Sequence, residues 1–439
     1  MKLNQLIGVA ASVLLTLAAW AQPTPAARQS ESILILGGTA HLGTGDVLEN
    51  AAIGFRDGKI DYVGFERTVD RARYDRVISA KGQHIYPGFI APNSTLGLQE
   101  IGAVRATRDD EEVGTFKPHV RAIIAFNTDS EVTPTVRSNG VLMGQITPRG
   151  GTISGSSAVV HFDAWNWEDA ALKMVDGVHL NWPQVHHRHR EDGTIDIRKR
   201  KTYDQEEQEI QRFFSEAKAY ALEVKRPSTA PRDLRQEAMR GLFDGSLTLY
   251  VHADDVRQIT EAVHFKRFMG IARMVIVGGT DAPLVADLLR DNDVAVMVSR
   301  VHALPRFDDD DVDGPYKLPK LLEDEGVLYC LENSGSMEHM GTRNLPFYAG
   351  TARAYGLTYE QAVRSITLNA ARVLGIADFC GSLETGKDAT LFISEGDALD
   401  MRSNYLTEAF IQGRSIDLDN RQRELYRKYQ SKYGAPILD

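Results

Sequence analysis

The stretch Ile85-Tyr86-Pro87-Gly88-Phe89-Ile90-Ala91-Pro92-Asn93-Ser94-Thr95-Leu96-Gly97-Leu98 decides how the chain is read. It is apolar on both sides of Pro87-Gly88 and turns polar at Asn93, Ser94 and Thr95. A short apolar run entered through Pro and Gly is a buried strand handing over to a polar turn.

Further runs of this kind follow: Val141-Leu142-Met143-Gly144-Gln145-Ile146, then Leu247-Thr248-Leu249-Tyr250-Val251-His252, then Met274-Val275-Ile276-Val277. Val294-Ala295-Val296-Met297-Val298 and Val327-Leu328-Tyr329-Cys330-Leu331 complete the set. Each ends in polar or Gly residues, and helical stretches lie between, the pattern of a parallel sheet wrapped by helices. A (β/α)8 barrel of the TIM type is the natural α/β architecture, and periodicity alone leaves a doubly wound open sheet as the alternative. Thr358 and Gln361 form a capping-box pair before Ala362, Ile366, Ala370 and Leu374 at helical spacing, with Gly375 as the stop. Residues 170–229 fit the alternation poorly. With His186-His187-Arg188-His189-Arg190 and a charged helix from Tyr203 to about Lys225, they read as an insertion over the barrel mouth.

Upstream of the barrel, Ile33-Leu34-Ile35-Leu36 opens a series of short strands with Asp57-Gly58 as a hairpin turn. A β segment returns in Gly381-Ser382-Leu383-Glu384-Thr385-Gly386-Lys387-Asp388-Ala389-Thr390-Leu391-Phe392-Ile393. Residues 1–21 read as a secretory leader: Lys2, an apolar core over 6–19, and the small-x-small site Ala19-Trp20-Ala21. The implied address is periplasmic or extracellular. A polar tail, 22–31, precedes the first strand, and a helical tail, 419–439, closes the chain. The formal net charge of −10 excludes nucleic acid and anionic membrane surfaces as natural partners. An oxidising compartment permits a disulfide between Cys330 and Cys380, the only cysteines, while the apolar surroundings of Cys330 suit two buried free thiols.

The Pro-Gly-Phe-Ile strand, the strand ending in His252, Ile366-Thr367-Leu368-Asn369-Ala370-Ala371 and the Gly381-to-Ile393 segment occur together in an order that resembles the amidohydrolase superfamily. Within it the chain looks closest to secreted relatives of imidazolonepropionase and to Xaa-Pro dipeptidase-like enzymes. The resemblance implies a TIM-like barrel over 85–379 and a small β-sandwich domain built from both chain ends, 32–84 and 380–418. It also implies a zinc or other divalent metal at the C-terminal ends of the barrel strands, where alternate residues face the axis and metal-bound water attacks a carbonyl.

Carried over residue by residue, the His-x-His pair of the first strand is replaced by Asn93 and Thr95. His252 matches the histidine of the fifth strand, and Glu332 is nearest to the acid of the eighth. His302 and His161 are further histidines that could rebuild a metal site, each more simply read as structural. Asp309, Asp311 and Asp313 resemble the start of a calcium loop, yet Lys320 stands where its bidentate Glu belongs. Gly151-Thr152-Ile153-Ser154-Gly155-Ser156-Ser157 is a Gly/Ser turn, not a nucleophile elbow. Trp165-Asn166-Trp167 beside it could line a pocket or pack in the core.

Two functions follow from the resemblance. One is a hydrolase of C–N bonds in small amides, cyclic amides or dipeptide-like substrates with a reduced or altered metal site. The other is a catalytically inactive relative that serves as a binding or partner subunit, as a homo-oligomer or beside an active paralogue.

Overall fold

The computed structural model describes residues 24–191, 194–222, 232–307, 310–335 and 337–434. The leader-like segment 1–21 and Asp309 lie outside the described residues.

Eight strands form the central sheet, in chain order Phe89–Ser94, Val141–Ile146, Ile153–His161, Ala171–Asn181, Thr248–Ala253, Arg273–Gly278, Val294–Val298 and Tyr329–Leu331. Neighbours in the sheet are neighbours in the chain, so the sheet curls into a nearly closed barrel. Helix Leu368–Leu374 packs against both the first and the last strand and spans the seam. Ile90, Met143, Val159, Tyr250, Val275, Val277, Ala295, Met297 and Cys330 fill the interior together with Ala370 and Leu374 from that helix. Leu249, Val251, Met274, Ile276, Val296 and Val298 join the larger core beneath the surrounding helices. This alternation sets which side chains can reach the mouth, because His252 and Glu332 continue the inward series of Tyr250 and Cys330.

The barrel departs from the all-parallel expectation at one strand. Ile153–His161 runs antiparallel to both its neighbours. The connection over residues 147–152 is a tight Gly-rich turn, with Gly150 and Gly151 at φ +75° and +71°. It is too short for a crossover helix, so the strand must fold straight back. The Ser-rich stretch read as a turn is therefore the start of a strand. Its small side chains fit a crowded interior: Ser156 Oγ donates to the Pro118 carbonyl and Ser157 Oγ accepts from Gln145 Nε2.

The proposed insertion also starts too early at residue 170. Ala171–Asn181 is the fourth barrel strand, its burial concentrated at Asp176, Val178, His179 and Leu180, and its Lys-Met-Val-Asp beginning masked it. After this strand come the hairpin His186–Glu191 and Thr194–Lys199 and then helix Tyr203–Leu222. The helix expected over 358–375 is two helices, Tyr359–Ser365 and Leu368–Leu374. The capping box at Thr358 and Gln361 and the left-handed Gly375 stop are both present. Between them the Ile366 carbonyl accepts from Ile90 N at 2.9 Å, an edge bond to the first strand that a continuous helix would forbid.

Both chain ends build a second, eight-stranded sheet. Strand Ile33–His41 forks, pairing through its first half with Arg76–Ser79 and through Thr39 and Ala40 with His84–Pro87. His84–Pro87 then pairs with Leu391–Ser394 from the far end. Cys330 and Cys380 are free, buried thiols.

Candidate functional site

The floor of the barrel mouth is a network anchored on Asp176, which is fully buried. Its carboxylate accepts from Tyr250 Oη at 2.6 Å, Gln145 Nε2 at 2.7 Å and Lys173 Nζ at 2.7 Å. A buried carboxylate holds its charge only with such compensation. Gln145 then offers its Oε1 to the backbone N–H of Asn93 at 3.0 Å, passing order from the fourth strand to the first.

Asn93 has φ +50°, a left-handed conformation that Asn adopts more readily than most residues. The kink ends the strand's alternation, so Asn93 and Thr95 do not share a side. Asn93 faces the mouth, while Thr95 is fully buried with an unpartnered Oγ1 and lines neither mouth cavity. Of the two positions carried over from the resemblance, Asn93 lines the mouth cavity and Thr95 does not.

Arg149, carried by the tight turn before the reversed strand, completes the constellation. Its Nη1 donates to Asn93 Oδ1 at 3.0 Å, its Nη2 to the Asn93 carbonyl at 2.8 Å, and its Nε to Glu338 Oε1 at 3.1 Å. The turn is pinned by Lys117 Nζ on the Arg149 carbonyl and by Asn181 Nδ2 on the Gly151 carbonyl. Asn93 Nδ2 in turn donates to Glu332 Oε2 at 3.3 Å.

Glu332 directly follows the last strand, with only 1 % of its surface exposed. Its carboxyl receives Ser334 through both the backbone N–H and Oγ. Burial pushes the Glu332 carboxyl up to about 7, against the lowering effect of Ser334 and the Arg149 charge. His252 and His179 meet with Nε2 and Nδ1 3.0 Å apart. Burial first, and the Arg149 charge second, push the His252 imidazole down to about 3. Burial, His252 and Arg149 together hold His179 well below the ordinary imidazole range. Among the described residues His179 Nε2 has no hydrogen-bond partner.

Above this floor a cavity of about 400 Å³ is lined by Asn93, Arg149, Ser154, Asn181, His252, Ser334 and Glu338. A second of about 680 Å³ shares Asn181, His252 and Ser334 with it and extends under Trp182, Arg200 and Glu206. Glu332 lines neither, since Asn93 and Ser334 stand between it and the opening.

The other sequence candidates lie elsewhere. His302 lines a different cavity of about 440 Å³, bonded to Thr351 Oγ1 at 2.7 Å and set edge-on to Tyr348. His161 sits at the opposite end of the barrel because its strand is reversed; it lines the cavity holding Asp163 and Arg414. Asp311 pairs with Lys317 at 2.7 Å and Asp313 lies 3.9 Å from the same ammonium. Trp165 is exposed and lines the cavity at the barrel bottom. Arg149, His179, Gln145 and Asp176 were missed from sequence. The signal for His179 was the alternation Val178-His179-Leu180 ending in Asn181-Trp182-Pro183; Arg149 offered none beyond its place in a Gly-rich turn.

A catalytic divalent metal needs about three protein ligands around an open position. Among the described residues no group of three His, Cys, Asp or Glu side chains is placed to hold one. The two imidazoles bond to each other, the Glu332 oxygens are taken by Ser334 and Asn93, and a guanidinium sits on the Asn93 oxygen. This donor set does not fit the metal that the fold implies.

The amidohydrolase family profile matches residues 194–417, about half of the chain. The protein belongs to the amidohydrolase family. An amidohydrolase from Thermotoga maritima MSB8 shares 23% identity, with 88% of this chain and 99% of that one covered, at a TM-score of 0.74. A Xaa-Pro dipeptidase with methionine bound in its active site shares 14% identity over 88% and 100% of the two chains, at 0.54. The A. niger ochratoxinase shares 14% over 88% and 95%, at 0.53. No curated protein matches the sequence. These structures share the fold of this chain.

Proposed function

We propose that this amidohydrolase-family protein binds a small amide- or peptide-like molecule at the barrel mouth without cleaving it. The observation that carries the reading is the sealing of Glu332. Glu332, the carboxyl just past the last strand, is screened from the cavity by Asn93 and Ser334. The side chains that do line the cavity, among them Asn93, Arg149, Ser154, Asn181 and Ser334, are hydrogen-bonding groups suited to recognition. The neutral His252 is too weak a base to deprotonate water near pH 7.

Hydrolysis of a C–N bond is the second reading. It is favoured by the Glu332 carboxyl near 7, a suitable value for a general acid or base, and by structural neighbours such as the Xaa-Pro dipeptidase. The proposal includes a periplasmic or extracellular address, resting on the leader-like residues 1–21, and leaves room for a second copy or an active paralogue as partner.

Calorimetric titration with N-acyl amino acids, cyclic amides and Pro-terminated dipeptides tests the reading. Binding that is lost in Asn181→Leu, with no product formed, supports it. Turnover by the wild type that disappears in Glu332→Gln establishes the hydrolase instead.

A further inference from the structure

The family resemblance defines where a metal would stand: between the first-strand position Asn93, the fifth-strand His252 and the last-strand Glu332. In this chain the positive charge at that place belongs to the protein. Arg149 bonds Asn93 through both its side-chain oxygen and its carbonyl, shares the cavity wall with His252, and lies one residue's hydrogen bond from Glu332. We infer that Arg149 is a built-in cation occupying the metal's position, so that the barrel mouth works without a divalent ion.

Three features make this an arrangement of the fold and not a chance rotamer. First, the residue is delivered by the turn that reverses the third strand; a barrel with a crossover helix there would have no side chain at this point. Second, the turn is fixed by three residues, of which Asp110 and Lys117 lie outside the cavity wall. Arg149 N donates to the Asp110 carbonyl, Lys117 holds the Arg149 carbonyl, and Asn181 holds Gly151. Third, Glu338, from the short helix after the last strand, receives the Nε and has its other oxygen tied to Gly335 N at 3.0 Å. The guanidinium is therefore neutralised within its own site.

The inference rests on the reading of the mouth as a ligand site, yet it can fail separately, because it concerns zinc alone. The test is equilibrium dialysis of the full chain against zinc, followed by elemental analysis, on wild type, Arg149→Met, Arg149→Lys and the double variant Arg149→Met/His252→Ala. Wild type and Arg149→Lys are expected to retain no tightly held zinc. Arg149→Met is expected to hold it at least about tenfold more tightly, the effect of removing a unit charge a few ångströms away. The gain should vanish in the double variant. Stoichiometric zinc on the wild type overturns the inference whatever the variants do. So does an Arg149→Met protein, folded by circular dichroism, that takes up zinc no better than wild type. Ligand titrations repeated in chelator separate the two claims: zinc retained by wild type, with ligand binding that persists in chelator, sinks the inference and leaves the mouth as the ligand site.

Discussion

Nδ1 of His179 and Nε2 of His252 lie 3.0 Å apart, and the His179 ring stacks on Tyr250 with centroids 4.7 Å apart and planes 13° from parallel. One nitrogen of the pair must carry the hydrogen and the other accept it, and no acceptor remains if both rings are charged. The pair therefore makes the barrel floor a place where protonation is resisted.

That resistance has a sign. The folded-state value of His252, about 3, lies below the ordinary 6.5, so its contribution to stability is fully present above 6.5 and is lost as pH falls toward 3. Urea unfolding of wild type and His252→Asn at pH 5 and 7.5 should show a wild-type advantage larger at 7.5, by about 2 kcal/mol. An advantage that does not change with pH would mean that His252 titrates in the folded protein as it does in the unfolded chain.

Glu332 works in the opposite direction. Its carboxyl is raised to about 7 from an ordinary 4.5, so the folded protein keeps a proton that the unfolded chain releases. Stability from this group is present below 4.5 and lost as pH rises to 7, a change on the order of 3 kcal/mol. In Glu332→Gln that loss should be absent, and the difference from wild type, followed by urea unfolding between pH 4.5 and 8, should level off above 7.

Gly177 sits where the fourth strand crosses closest to the fifth. A Cβ there would overlap the Thr248 carbonyl oxygen and the Tyr250 ring, both part of the barrel wall. Gly177→Ala should cost about 3 kcal/mol by chemical denaturation, since neither a backbone carbonyl nor a ring locked by Asp176 can yield. Gly102, with open space around it, is the control, and Gly102→Ala should change stability by less than about 1 kcal/mol.

Burial pushes both thiols, Cys330 and Cys380, above the ordinary range, Cys330 further opposed by Glu332 and Cys380 by Asp388. Neither should react with a thiol-specific disulfide reagent in the native protein at pH 8, and both should react at once in denaturant. Loss of titratable thiol under denaturing, non-reducing conditions would reveal a disulfide instead.

Much of the barrel could be read from the chain because its parallel strands are what they need to be, short β-branched runs with no charge. Asn93 and His252 were legible for the same reason: each closes such a run. The third and fourth strands were hidden by composition. Ile153–His161 spends Gly and Ser on a narrow interior, and Ala171–Asn181 carries Lys173 near its start and then Asp176, whose buried carboxylate also needs Gln145 and Tyr250 from strands distant in sequence. With those strands hidden, His179 and Arg149 stayed hidden too. Thr95 was misjudged because strand alternation assumes an unbroken strand, and the left-handed φ of Asn93 breaks it.

The sheet made from both chain ends carries a consequence for how the protein is born. Strand His84–Pro87 is flanked by Ile33–His41 on one edge and by Leu391–Ser394 on the other, so one of its sides waits for residues translated some three hundred positions later. Helix Leu368–Leu374, which spans the barrel seam, arrives equally late. A nascent chain stopped before them exposes an unpaired strand edge and an open barrel together, the two surfaces most prone to aggregation. Synthesis must reach its last quarter before any part of this molecule has a finished edge.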